Sequence, residues 1–509
     1  MRPLLILLPL FLTACGETTT SPAADASATE PAAPPATPSA TDLKNSVVRL
    51  NSTRQSWNPG QPWEKNPPDK RRALAPIVGD ARVLTTAELV ADATNLELES
   101  TDGIRRTQAQ VIAVDYELNL ALLGPVSDEE GAAFFAGTTP LAIAEPSAIG
   151  QTLEIFQVED NGLPLVTSGT VRSVDIRSSL LPGQGVLTYF VKASMQSAAS
   201  SFSLPVLRDG KLAGMLLSYD AKDQICDVAA TDIVSHFLTA TDTGEYKGVP
   251  SLGISTARTE NDAFRQWLKL TGDQGGLYIN KVRKGGAAEA AGVLTGDVLL
   301  AVDGNPIDRR GYFQHPLYGS LLWGHMIRSG KSAGDTIRLS LLRDGEPLEL
   351  TATLTRDEES SKLVPEYTFG LAPNFLVKGG FIFQELTRTL LEAYGDNWSS
   401  TAPLNLLDAY ENPEQYEGKA DRIVVLSGAI PTPATIGYER LRNLIVRKVN
   451  GTEIRNMKSL IDAFNSLDGQ IHSIQFDQDD LTVHLDEIVS ADVDAQLLQR
   501  GLPRLSRAE

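Results

Sequence analysis

The hydrophobic pattern changes character several times along the chain. Leu4–Leu12 is an unbroken apolar run behind Arg2. It is shorter than the about 20 residues a bilayer span needs, so residues 1–15 read as a signal peptide. Residues 16–42 are mostly Ala, Pro, Thr and Ser without apolar periodicity, which predicts a disordered, partly polyproline tether. From Leu43 onward short β-rich runs take over: Val47–Leu50, Arg82–Thr85, Gln110–Val114, Leu153–Phe156, Thr170–Val174, Leu187–Val191 and Leu212–Leu217. Asp209-Gly210 between two of these runs predicts a hairpin. Short strands at regular spacing argue a barrel or sandwich over 43–247, closed by a helical stretch at Ala230–Leu238.

A second pattern begins near 248. Gly276–Ile279 and Val298–Val302 read as strands, Ala287–Gly292 as a short helix ending on glycine, and Leu341–Glu346 as a hairpin. Leu317–Ile327 is amphipathic and reads as a helix. An acidic linker, Asp357–Lys362, leads to residues 365–490. There Leu300–Ile307 recurs as Arg447–Ile454, each copy followed by a helical stretch. A long insert, Leu386–Gln415, interrupts the second copy's region.

Composition narrows the chemistry. The 509 residues suffice for about three domains. Lys+Arg is 45 against Asp+Glu 64, a formal net charge of -19, which repels phosphate backbones, so no nucleic-acid partner is expected. Cys15 and Cys226 are the only cysteines, which excludes a disulfide scaffold and a cysteine-built zinc site. Gly330-Lys331-Ser332 lacks the leading glycine of a P-loop, because His325 stands there. No metal and no cofactor are expected. The histidines are His236, His315, His325, His472 and His484, so none precedes position 236.

Leu12-Thr13-Ala14-Cys15 resembles a bacterial lipobox, which implies cleavage before a lipidated Cys15. Gly16 follows, where Asp commonly retains such proteins at the inner membrane. The resemblance therefore implies an outer-membrane anchor facing the periplasm, with membrane contact through the lipid alone.

The β-rich region resembles the Deg/HtrA trypsin-like serine proteases. The family's histidine strand appears as Val83-Leu84-Thr85-Thr86-Ala87-Glu88-Leu89-Val90, and its aspartate motif as Asn119-Leu120-Ala121-Leu122-Leu123. Thr167-Ser168-Gly169-Thr170-Val171 matches a further strand. The nucleophile loop corresponds to Gln196–Phe202, followed by Ser203-Leu204-Pro205. The resemblance implies a mainly β fold: a trypsin-like double β-barrel followed by two PDZ (α+β) domains, at 248–356 and 365–490. It also places Glu88, Asn119 and Ser200 at the triad positions. A serine nucleophile needs a base to take its proton and a third group to hold that base. An ordinary carboxylate, with a pKa near 4, is a poor base for a hydroxyl at neutral pH. Ala198–Phe202 also lacks the glycines that let backbone N–H groups turn into an oxyanion hole. His236 on the closing helix, Lys192 on the strand entering the loop and Cys226 offer no evident replacement.

In the first PDZ-like region the resemblance assigns Ser251-Leu252-Gly253-Ile254 to the peptide-carboxylate loop, with Leu317–Ile327 as the groove's other wall. Successive N–H groups at such a turn hold a terminal carboxylate, and the following strand pairs with an added peptide. In the last region Gly379-Gly380-Phe381-Ile382-Phe383 is the equivalent loop and strand, resembling the divergent second PDZ domain of the plant-type Deg branch. Its insert argues for a role in assembly. Three functions compete: a peptide-binding or scaffolding pseudoprotease of envelope protein quality control, an active serine endopeptidase with a displaced triad, and a purely structural envelope lipoprotein. The missing histidine favours the first, with protein C-termini or unfolded polypeptides as partners and a homo-oligomer as a possible assembly.

Overall fold

The structure is a computed structural model that describes residues 42–508 except 160, 182, 196–202, 243, 245, 468 and 478–480. Cys15, the signal peptide, nearly all of the tether and Ser200 lie outside the described residues.

Six strands close the first barrel: β1 (Val47–Arg54), β2 (Asp69–Gly79), β3 (Arg82–Thr85), β4 (Ala93–Ser100), β5 (Arg106–Asp115) and β6 (Leu120–Pro125), in the order β1-β2-β3-β6-β5-β4. Val48, Leu50, Ile77, Val83, Leu98 and Leu123 fill it. Closure leaves no open sheet edge, which removes the aggregation hazard of a free strand. The second barrel joins β7 (Thr152–Val158), β8 (Pro164–Ser178), β9 (Gly185–Lys192), β10 (Leu204–Arg208), β11 (Lys211–Asp220) and β12 (Ile225–Ala230), in the order β8-β9-β12-β11-β10-β7. Every strand expected from the sequence over 43–247 lies in one of these. Asp209 and Gly210 both take positive φ, 53° and 72°, and make the tight turn between β10 and β11. Helix α1 (Thr231–Asp242) closes the barrel with Ile233, Val234 and Phe237 buried.

The first C-terminal domain orders β13 (Ile254–Ala257), β14 (Leu277–Val282), β15 (Val298–Val302), β18 (Thr336–Arg343) and β19 (Glu346–Thr353) into one sheet. The amphipathic stretch Leu317–Ile327 is not a helix. It is the second half of a hairpin, β16 (Tyr312–His315) with β17 (Gly319–Leu322), followed by a single helical turn, α2 (His325–Arg328). Two glycines inside the stretch, Gly319 and Gly324, each cost a helix about 1 kcal/mol. Gly319 takes φ 75°, at the hairpin's turn. The apolar residues Phe313, Tyr318 and Leu321 are buried in the second barrel's cluster, so tertiary packing decides the conformation.

The second C-terminal domain orders its sheet β25-β24-β23-β22-β21-β20-β26, where β20 is Phe375–Lys378, β21 Phe381–Glu385, β22 Val424–Ala429, β23 Leu444–Val449, β24 Ile471–Phe476, β25 Thr482–Asp486 and β26 Ser506–Arg507. Helix α3 (Met457–Asn465) follows the repeated strand-and-turn, as the repeat predicts. The turn Asn450-Gly451 has φ values of 51° and 80°, matching 48° and 80° at Asp303-Gly304. Helix α4 (Glu487–Gln499) and β26 carry this domain past residue 490, where the sequence pattern had ended it, because β26 pairs with β20. The insert folds as short helices around Leu386, Leu391, Leu406 and Ile423. Both barrels and both C-terminal domains fall in one compact unit.

Candidate functional site

Glu88 lies in the short 3-10 turn Ala87–Leu89 directly after β3, and Asn119 stands at the entrance to β6. The adjacency of β3 and β6 brings the two together. The Glu88 backbone N–H donates to Asn119 Oδ1 at 3.0 Å, and Asn119 Nδ2 donates to Ser179 Oγ at 2.9 Å. Asn119 has φ 54°, a left-handed conformation that Asn tolerates better than most residues. Arg54 donates to the Glu88 carbonyl oxygen at 2.6 Å. The Glu88 carboxyl itself makes no hydrogen bond among the described residues. Burial raises its pKa above the ordinary glutamate value, with Arg54 and Arg71 pulling the other way.

A cleft of about 330 Å³ opens beside Glu88, lined also by Arg177, Ser178, Ser179, Thr188, Leu217, Ser218 and Asp227. Asp227 is buried at 8% exposure. Its carboxylate pairs with Arg177 Nε at 3.1 Å and accepts from Ser218 Oγ at 2.9 Å. The Arg177 guanidinium also lies over the Phe190 ring, 5.6 Å from its centre. The cleft thus contains a carboxylate already neutralised by the chain's own cation. The sequence reading missed this pair. Its one signal was an acidic residue in the otherwise apolar run Ile225–Ala230.

The remaining candidates lie apart from this cleft. Lys192 Nζ donates to the Asp223 carbonyl oxygen at 2.5 Å. Cys226 is buried with its Sγ 3.5 Å from Met195 Sδ, and burial pushes its thiol up to about 12, so it is no thiolate at neutral pH. His236 sits half-buried on α1. The end of the nucleophile loop is pinned near Glu88: Ser203 Oγ accepts from the Thr86 N–H at 3.3 Å and lies 3.2 Å from Thr85 Oγ1. Among the described residues no group of three His, Cys, Asp or Glu side chains could hold a metal ion.

The first C-terminal domain presents a strand edge. β13 ends the sheet and, among the described residues, pairs only with β14. Before it, Gly253 takes φ 77°, and the loop is fixed where Leu252 O accepts from Ala288 N at 2.9 Å and Gly253 O from Arg283 N at 2.8 Å. Leu252 and Ile254 share an apolar cluster with Trp323, Met326 and Ile327. One loop amide is not vacant: the Gly253 N–H donates to Ser251 Oγ at 3.1 Å. A larger cavity of about 570 Å³ lies elsewhere in the domain, near Glu260, Asp308 and Tyr312, and contains none of the expected site residues.

The corresponding edge of the second C-terminal domain is covered by its own chain. β20 pairs antiparallel with β21 from Phe375↔Gln384 to Lys378↔Phe381 and runs its C-terminal end into the Gly379-Gly380 loop. An added C-terminal peptide would take the same direction. The Gly379 N–H donates to Asp494 Oδ1 at 2.7 Å, so a carboxylate from α4 occupies the loop. Lys378 Nζ bridges Glu487 at 2.7 Å and Asp494 at 3.5 Å, and His472 Nε2 lies 2.6 Å from Glu487 Oε2. A hairpin of the first barrel packs over the outside: Trp63 meets Phe375 at 6.1 Å, and Arg507 lies 4.6 Å over Trp57.

Profiles for PDZ domains match residues 250–354 and 364–501. Protease Do-like 2, chloroplastic, of Arabidopsis thaliana is 27% identical over 424 residues, covering 82% of this chain and 67% of the relative. The chain carries two PDZ domains and is similar over most of its length to Deg/HtrA proteases. The serine protease Do-like HtrA of Bacillus subtilis is 25% identical over 304 residues, covering 56% of this chain and 62% of that protein. A solved structure titled HtrA-type protease AlgW with decapeptide covers 63% of this chain and 99% of that chain, at 19% identity and a TM-score of 0.46. The first PDZ domain, PDZ1 (250–354), therefore has an open strand edge, and the second, PDZ2 (364–501), has an edge filled from within.

Proposed function

We propose that the chain is a Deg/HtrA pseudoprotease that binds free protein C-termini or unfolded polypeptide through PDZ1, as a lipid-anchored scaffold of envelope protein quality control. The observation that carries the reading is the pairing of Glu88 with Asn119 through a backbone N–H. It keeps the architecture of a triad without an imidazole to move a proton. The Arg177–Asp227 pair inside the adjoining cleft supports it, since an incoming side chain must displace a formed ion pair. Anchoring through Cys15 at the outer membrane rests on the lipobox-like sequence, and PDZ1 binding at Ser251–Ile254 rests on the open β13 edge. PDZ2, closed on itself and carrying the insert, serves assembly.

The test is a titration of the soluble full chain with C-terminal peptides ending in an apolar residue. Binding that disappears when the peptide C-terminus is amidated supports the reading. Equal binding of amidated peptides, or none at all, overturns the peptide-binding part of it.

A further inference from the structure

The β16–β17 hairpin of PDZ1 is built into the second barrel. Phe313, Tyr318 and Leu321 share one buried cluster with the barrel residues Leu187, Tyr189 and Val191. Polar contacts continue across this joint. Tyr318 Oη donates to Asp232 Oδ2 of α1 at 2.6 Å and lies 3.1 Å from Tyr189 Oη. Tyr189 Oη in turn accepts from the Ser147 N–H at 2.9 Å. The barrel's tyrosine, the hairpin's tyrosine and the helix's aspartate thus form one buried chain of hydrogen bonds.

Two imidazoles lie against it. His315 stacks on Tyr318 at 4.7 Å, and its Nδ1 faces the N–H groups of Leu317 and Tyr318, both at 3.3 Å. That nitrogen is an acceptor and has no room for a proton. His325 on α2 is 7% exposed, stacks on Phe313 at 6.3 Å and meets His315 edge-on at 5.6 Å. Its Nδ1 is buried without a hydrogen-bond partner, so an imidazolium there would bury an unsatisfied N–H. Asp232 attracts a proton towards both rings. On α2 itself Arg328 pairs with Glu117 of the first barrel at 2.7 Å.

We propose that the hairpin is an acid-released clamp: it holds PDZ1 against the second barrel while His315 and His325 are neutral, and protonation of the pair frees PDZ1. The inference stands apart from peptide binding and from the loss of catalysis. Burial depresses both imidazoles, His325 to about 4 from an ordinary 6.5, and outweighs the attraction of Asp232. The docked state therefore binds protons less readily than the released state. Docking is complete above the ordinary histidine value and weakens as pH falls towards 4, by up to about tenfold per pH unit for one histidine. Glu117 acts in the opposite sense. Its burial raises its pKa, so its protonation favours the docked state and blunts the response.

Hydrogen exchange of the full chain, read by mass spectrometry over residues 312–328 and corrected for intrinsic pH effects, tests the clamp. Protection of this segment should fall at least about tenfold between pH 6.5 and 5, while β15 stays protected. His325→Phe, which keeps the stack on Phe313, should leave a smaller loss of protection at pH 5 than the wild type, because only His315 remains to titrate. If that variant fails to fold, His315→Phe should diminish the response in the same way. Glu117→Gln should leave the wild-type response intact or steeper. Protection that is independent of pH in the wild type overturns the proposal, as does an undiminished response in the folded histidine variant.

Discussion

The Glu88 N–H and Asn119 Oδ1 lie 3.0 Å apart, at the two positions that the sequence resemblance equates with a serine protease's base and the group that orients it. In a working triad that relationship is an imidazole N–H donating to a buried carboxylate. Here it is a main-chain N–H donating to an amide. The contact ties the turn after β3 to the start of its neighbour β6, and in the proposed reading it keeps the structural half of a triad without the chemical half.

The first prediction is that the chain does not cleave unfolded casein, and that Glu88→His with Asn119→Asp does not restore cleavage. The double change returns the base and its orienter only. Ala198–Phe202 still lacks glycine, and Arg177 still pairs with Asp227. A surviving oxyanion hole alone leaves about 10³–10⁴-fold acceleration over water, so a sensitive fluorogenic assay separates a silent site from a crippled one. Ser200-dependent cleavage by the wild type would sink the pseudoprotease reading. Cleavage by the double variant would show that the loop and the ion pair are no barrier.

The barrels were legible in the sequence because their strands are short, apolar and regularly spaced, and because Asp209-Gly210 fixes its turn locally. The β16–β17 hairpin was not. Leu317–Ile327 has helical periodicity, and packing against the second barrel, including the contacts of Tyr318 with Tyr189 and Asp232 more than 80 residues away, selects the hairpin. Asp227 and Arg177 escaped notice for the same reason: their partnership depends on β8, β11 and β12 meeting in space. Asp494 was hidden further still, since nothing local distinguishes it from the other acidic residues of α4.

The second prediction concerns Glu88 and pH. Its folded pKa is raised by burial, so the folded chain binds a proton there more readily than the unfolded chain. The ionised carboxyl therefore costs stability at neutral pH, and that cost disappears as pH falls below the ordinary glutamate value. Glu88→Gln should raise the denaturant midpoint at pH 7, and the gain should shrink to nothing near pH 4. A gain that is the same at both pH values would place the effect in packing rather than in charge.

The third prediction addresses delivery. Cys15→Ala should remove the protein from the outer-membrane fraction, because in the proposed reading the lipid on Cys15 is the attachment. A variant that still sediments with outer membranes after a high-salt wash would refute the lipid anchor.

The last prediction is that peptide binds PDZ1 alone. β13 has a free edge, whereas β21 is covered by β20, which is covered in turn by β26. β20 is joined to β21 by the Gly379-Gly380 turn, and a short tether of this kind gives an effective concentration in the mM range. A free peptide at micromolar concentration cannot displace it. Calorimetry of the full chain should therefore show a single peptide site, abolished by Ile254→Asp. Asp494→Ala removes the acceptor of the Gly379 N–H and one partner of Lys378, at a cost of about 1–3 kcal/mol to PDZ2. It should lower the denaturant midpoint while leaving the peptide stoichiometry and affinity unchanged. A second site appearing in Asp494→Ala would mean that this carboxylate, rather than the strand β20, is what keeps peptides out of PDZ2.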